Sequence, residues 1–429
     1  MKKAWIIAGG VVVALGVATP WAVGKLTEQH WLTATDAFND SQPFLILDTS
    51  AYQRGYLGSD MTGQLTFVDP ETGERETLGW QGDVSHGVTG STIDFGFDAQ
   101  DSEIFNALFP EKKPSLTLTS HAWGSSRIEL TVPQISYLDE QTGESLNVSE
   151  SFSAATIDDN GESFDVTMRW PGLVLRSPEY RMSLENFNLD QSMSLLAGNI
   201  WTGEARASLD KVSLAMEAEP EVILEGIEMV SRSSAGEDND TVGVVTELTL
   251  EHYRQDAGEY GPHRIEFQLQ DLNVAAWNRV LTAIEEMQNA GLDNQAAPQA
   301  AFERQMAATL AIGESLQALA AEGFMAGFTE VDIATPEGSI TGRAVISHPP
   351  VAADDQAEMA MVMAGLEGEV RLRIPRALAE NNPEIAEELA PMIMQGALVE
   401  EGDHYVMKAT LKDMEIDLNG QVMPIPAMM

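Results

Sequence analysis

Cysteine is absent from the 429 residues. That excludes a disulfide framework, a thiolate nucleophile and any zinc site built on sulfur. Lysine is scarce, with 8 residues against 16 arginines, and three of those lysines fall in the first 25 positions. Basic residues total 24 against 67 acidic ones, a formal net charge of −43. A field of that sign repels phosphate backbones and anionic headgroups, which argues against a nucleic-acid partner. The acids are spread along the chain rather than gathered in a tail. Dispersed carboxylates with little lysine fit a surface adapted to salt, where screening relieves self-repulsion, and point to a salt-adapted organism rather than to a cationic partner.

Catalytic patterns are missing as well. The seven histidines (His30, His86, His121, His252, His263, His348 and His404) form no H-x-x-x-H pair, and His252 and His263 fall on different strand ends. "WGSSR" and "RSSAGED" lack the glycines of a nucleophile elbow, and neither a G-x-G-x-x-G stretch nor a phosphate-cradling loop occurs. The acidic turns "DDNGES" and "GEDNDTV" lack the ligand register of a calcium loop and read as solvated hairpin tips. Paired carboxylates carry no information in so acidic a chain. The expectation is a protein that is not an enzyme, with no catalytic residue, metal or cofactor.

What is present begins at the N-terminus. Lys2 and Lys3 precede an uncharged run from Ala4 to Gly24, about long enough to cross a bilayer. The lysines place the N-terminus in the cytoplasm, and Trp21 sits where an interfacial aromatic belongs. Ala22-Val23-Gly24 offers a small-x-small cleavage site, so a signal peptide is the competing reading. The length of the run and Pro20-Trp21 favour an uncleaved anchor. Either way the body is exported, on a single-pass topology, into the bacterial periplasm.

Beyond a short stalk helix over 25–40, the pattern turns to period two. "GQLTFVD", "STIDFGFDAQ", "SRIELTVPQISYL", "VVTELTLEHYR" and "HRIEFQLQDLNV" alternate apolar with polar residues between Gly, Asp, Pro and Ser turns. One-faced strands of this kind predict antiparallel sheet in a meander. Helical spacing follows at Val274–Leu292, where Trp277, Val280, Leu281, Ile284 and Met287 share a face, and resumes from about Pro298. A third helix is predicted from "RALAENNPEIAEELAPMIMQGALVEEG", and a hairpin closes the chain. The predicted division is a cytoplasmic tip at 1–3, an anchor at 4–24, a stalk at 25–40 and a β-rich region at 41–273. A helical insert at 274–328 and a mixed strand-and-helix region at 329–429 complete it. The fold class is α+β: long antiparallel one-faced sheet with helices packed on it, plus one N-terminal transmembrane helix. Such a sheet either covers its apolar face or leaves it open as a groove for an apolar ligand.

A lysine-led anchor, a stalk and then "YQRGYLGSD" resemble the YdgA/YihF-like family of bacterial envelope proteins, whose function is not known. The family's early signature matches Tyr52, Arg54, Gly55, Tyr56, Leu57 and Ser59. A second one, His-Gly-Pro, matches at His86 and Gly87, with Val88 in place of the proline. "QDLN" at 270–273 and the terminal "DLNGQVMPI" also look like the family, so the resemblance covers nearly the whole chain. It implies envelope location and names no reaction. The motif residues themselves read as structural: a strand-pair corner, with Gly55 allowing a bulge or positive φ and Arg54 meeting carbonyls or Asp60. Fold-level analogy with AsmA-like proteins adds lipid carriage in a β-groove. The expected function is therefore a non-enzymatic protein, held in the inner membrane by residues 4–24, that supports or binds an envelope component. A lipid in a β-groove is the sharper form. A module for an envelope-protein partner and an envelope hydrolase are the alternatives.

Overall fold

A computed structural model describes residues 35, 39, 44–54, 58–69, 75–86, 90–98, 103–121, 123–158, 161–217, 219–256, 258–292, 298–351 and 365–424. The expected anchor at 4–24 lies outside these residues, as does the stalk segment apart from Thr35 and Asn39. Among the described residues no helix is long and apolar enough to cross a membrane. The chain is β-rich with a few helices, and its strand pairings are antiparallel. It divides into two compact units, 1–194 with 205–221, and 195–204 with 222–429.

The first unit is a meander. Its strands are β1 (Leu45–Arg54), β2 (Gly58–Val68), β3 (Arg75–His86), β4 (Gly90–Asp98), β5 (Ser115–His121) and β6 (Ser126–Val132). Then come β7 (Ile135–Leu138), β8 (Ser145–Val148), β9 (Ser151–Asp158), β10 (Ser163–Arg176) and most of β11 (Tyr180–Ala197), with α1 (Glu103–Leu108) before β5. Each strand pairs with the next from β1 to β6, then β6 with β9, β9 with β10 and β10 with β11. The free edge of β1 is closed at Leu47, whose N–H and C=O both bond the Asn39 side-chain amide at 2.8 and 2.9 Å. An amide standing in for a strand in this way blunts the edge.

The stretch "SRIELTVPQISYL", expected as one strand, is split at Pro133 into β6 and β7. Register explains the split. β7 continues β6 against β8 and β9 without a slip, and β8 continues β9 against β10. By that constant register, the residues left opposite one another at the break are Pro133, Glu150, Pro171 and Asn186. Two of them have no N–H to give the ladder, and Asn186 has φ 54°. Two prolines and a left-handed residue lined up across the strands make a crease. Beyond it Ile135, Leu146, Val148, Leu173 and Leu175 pack with Leu45, Phe67 and Leu78 around Phe105, Leu108 and Phe109 of the α1 region. The apolar face of this unit is thereby covered: Met61, Ile93, Phe105 and Leu108 are 1–2% exposed.

Strand β12 (Ile200–Met216) is shared between the units, and the second unit then holds β13 (Val222–Ala235), β14 (Thr241–Gln255), β15 (Gly258–Tyr260) and β16 (His263–Asn273), followed by α2 (Val274–Leu292) and α3 (Pro298–Glu322). It continues with β17 (Phe324–Thr335), β18 (Gly338–His348), β19 (Glu367–Pro375), α4 (Arg376–Asn381) and α5 (Pro383–Met394). β20 (Val399–Glu401), β21 (His404–Lys412), β22 (Glu415–Leu418) and β23 (Gln421–Pro424) complete it. The sheet order is 13-14-16-17-18-19-21-22-23, again a meander. The expected single third helix is two: Asn382 is extended at φ −123°, ψ 100°, and Pro383 restarts the helix. A residue before proline is pushed out of the helical region, which is why the break falls there. The α2 face with Trp277, Leu281 and Ile284 packs against Val242, Leu269 and Leu272 of the sheet, with Val280 and Ala276 buried beneath. Gly198, at φ 57°, lies so close to Asn278 of α2 that a Cβ would overlap its amide, whose Oδ1 accepts the Asn199 N–H at 3.0 Å.

Candidate functional site

The described motif residues fall at strand ends and element junctions. Tyr52 is half-buried in β1 opposite Met61, Arg54 ends β1 opposite Ser59, and Ser59 is itself buried. Gly55, Tyr56, Leu57 and Gly87 lie outside the described residues. His86 ends β3 opposite Ser91. Because Gly58 pairs with Ser85, the start of β2 and the end of β3 lie at the same end of the meander. "QDLN" is also a junction. Asp271, at φ 59°, forms a bulge against β14, Leu272 is buried, and Asn273 Oδ1 accepts the Ala276 N–H at 3.0 Å as the N-cap of α2. In "DLNGQ", Asn419 and Gly420 turn β22 into β23 at φ 52° and 87°. Asn419 Oδ1 accepts the Lys408 N–H at 2.8 Å, and Nδ2 donates to the Gly396 and Ala397 carbonyls at 2.8 and 3.0 Å.

The histidines His121, His348 and His404 do not converge. His121 is in the first unit, where it stacks on the exposed Trp123 at 4.6 Å between ring centres. His348 is buried, its Nδ1 2.6 Å from the Pro349 carbonyl, while His404 is bonded to Asp403. Among the described residues no group of three or more metal-ligating side chains comes together. One face of the second sheet carries charges in alternation. Glu247, Glu266 and Glu330 stand opposite one another on β14, β16 and β17, with Arg264 between them at 3.3–3.4 Å. Arg343 and Arg371 flank Glu369 further on. The Thr329 hydroxyl, with the Gln268 amide and Arg264, holds the Glu266 carboxyl below the ordinary range against the opposing effect of burial. The charges of this lattice pair with one another across the strands.

The opposite face of the same sheet is apolar. One row crosses it as Met229, Leu248, Ile265 and Val331, the next as Phe267, Phe328, Ala344, Val370 and Ala409. A third runs through Leu269, Ala326, Ile346, Leu411, Ile416 and Met423. Among the described residues, helices cover only its two ends. Leu269 belongs to the cluster under α2, and Leu372 and Met407 belong to the cluster with Leu378 of α4 and Leu389 of α5. Between them Met229, Leu248, Phe328 and Ile346 remain 41–46% exposed. Isolated apolar side chains on a surface are ordinary, whereas a contiguous patch rimmed by polar groups marks a binding surface. Alternation predicted this apolar face, but no signal within the sequence distinguishes a covered face from a bare one.

Among the described residues these features define a class: an antiparallel meander protein with one covered unit and one whose apolar sheet face is bare between two helical ends. The chain belongs to a bacterial protein family of unknown function, DUF945, whose model matches residues 1–426. No curated protein and no solved structure matches it.

Proposed function

We propose that the protein is a non-catalytic envelope component that holds the acyl chains of a lipid on the bare face of its second unit. The observation that carries this reading is the three apolar rows left uncovered between α2 and α4–α5. Covering four side chains that are two-fifths bare is worth roughly 4 kcal/mol, and each buried methylene of a ligand adds about 0.8 kcal/mol. A chain of ordinary length therefore supplies enough burial for micromolar binding after the cost of association. The scatter of His121, His348 and His404 favours binding over hydrolysis. On this reading residues 4–24 anchor the chain in the inner membrane and the body stands in the periplasm, as in the YdgA/YihF-like proteins that its motifs resemble. The test is titration with a fluorescent fatty acid. The wild type saturates, and the Phe328→Glu, Ile346→Glu double variant binds at least tenfold more weakly with its fold intact. Equal binding by the two proteins contradicts the proposal.

A further inference from the structure

The bare face does not end in apolar residues on every side. Along β14 the same face reads Leu248, Leu250, His252, Arg254, so an apolar track runs into two basic side chains. Register adds His263 of β16 opposite Leu250, Glu225 of β13 opposite His252, and Glu259 of β15 opposite Arg254. Directly paired residues share a face of the sheet, so these five ionisable groups stand at one end of the apolar rows. Arg254 bonds Glu225, and His252 Nδ1 lies 3.1 Å from Glu259. The cluster is not fully satisfied. The Nε of Arg254 and the Nε2 of His263 are buried and meet no hydrogen-bond partner among the described residues. Buried polar nitrogens without a partner cost free energy unless something supplies one. The rest of the cluster is open: the Arg254, His252 and Glu259 side chains are 38%, 47% and 56% exposed, within reach of an oxygen-bearing head on the apolar track.

We infer that the Glu225–His252–Arg254–Glu259–His263 end of the bare face receives the headgroup of a zwitterionic phospholipid, phosphate toward the basic side chains and ammonium toward the glutamates. This rests on the acyl-chain reading above. The charge balance selects the headgroup. One arginine faces two glutamates there, and the whole chain carries −43. A purely anionic head meets net repulsion there. A head bearing both signs finds a counter-charge for each.

Photo-crosslinking in cells tests it on the full chain. A benzophenone amino acid is placed at Phe328 to report the acyl chains and, separately, at Leu250 to report the head end. Adducts are sorted by mass into phosphatidylethanolamine and phosphatidylglycerol. The expected result is a phosphatidylethanolamine share well above that of the membrane. Arg254→Gln with His263→Phe lowers that preference about tenfold, the scale of losing a charge-assisted hydrogen bond. Phe328 adducts persist in that variant, and Arg371→Gln, which removes the same charge from the opposite face, leaves the preference unchanged. A wild-type share equal to the membrane's, or an equal loss in Arg371→Gln, overturns the headgroup assignment while the acyl-chain reading stands. Absence of lipid adducts at Phe328, or protein adducts in their place, overturns both.

Discussion

Asn419 shows how a single residue ties down several elements. Its left-handed backbone turns β22 into β23, and its amide holds β21 on one side and the chain after α5 on the other. Asn419→Ala loses three hydrogen bonds and keeps a backbone that alanine disfavours, so it is expected to cost about 2–3 kcal/mol in urea unfolding. Asn419→Gly, which restores the backbone alone, should recover only part of that. Glu266 gives a pH prediction. Its folded-state acidity is increased, chiefly by the Thr329 hydroxyl, so its contribution is present above the ordinary glutamate range and lost as pH falls through the lowered value. The stability gap between wild type and Thr329→Val should therefore narrow on going from neutral pH to acid. A gap that widens in acid would assign Thr329 a different role.

At the scale of elements, much was legible in the chain and some was not. Alternation located the strands, because every one-faced strand must repeat at period two. The spacing of Trp277, Leu281 and Ile284 located the buried face of α2 for the same kind of reason. The break at Asn382 was missed because the helical pattern runs across it, although Pro383 marks it locally. The crease at Pro133, Glu150, Pro171 and Asn186 was hidden because those residues meet only once the register is known. The head-end cluster was hidden likewise, since the pairing of Leu250 with His263 is what brings His252, Arg254 and His263 to one end. The contrast between covered and bare faces makes a direct prediction. Phe105→Ala in the covered first unit should cost about 3–5 kcal/mol in chemical denaturation. Phe328→Ala on the bare face should cost about 1–1.5 kcal/mol, because nearly half of its surface is exposed already. Equal costs would mean that the second face is covered in solution.

For the whole molecule, charge and the bare face set the behaviour. With 67 acidic against 24 basic residues, self-repulsion opposes the compact state. Raising salt toward 1 M shortens the screening length to about 3 Å, so the melting temperature should rise. A fall would mean that exposed pairs such as Arg232–Glu204 and Lys412–Glu367 matter more than the net charge. A bare apolar face in so charged a protein is expensive to leave in water unless something occupies it, and the central claim is that acyl chains do. Native mass spectrometry of the full chain, released from detergent in the gas phase, tests this most directly. The account predicts a retained lipid mass on the wild type and its loss from the Phe328→Glu, Ile346→Glu variant. A wild-type spectrum of the bare chain mass alone, identical to that of the variant, would contradict it.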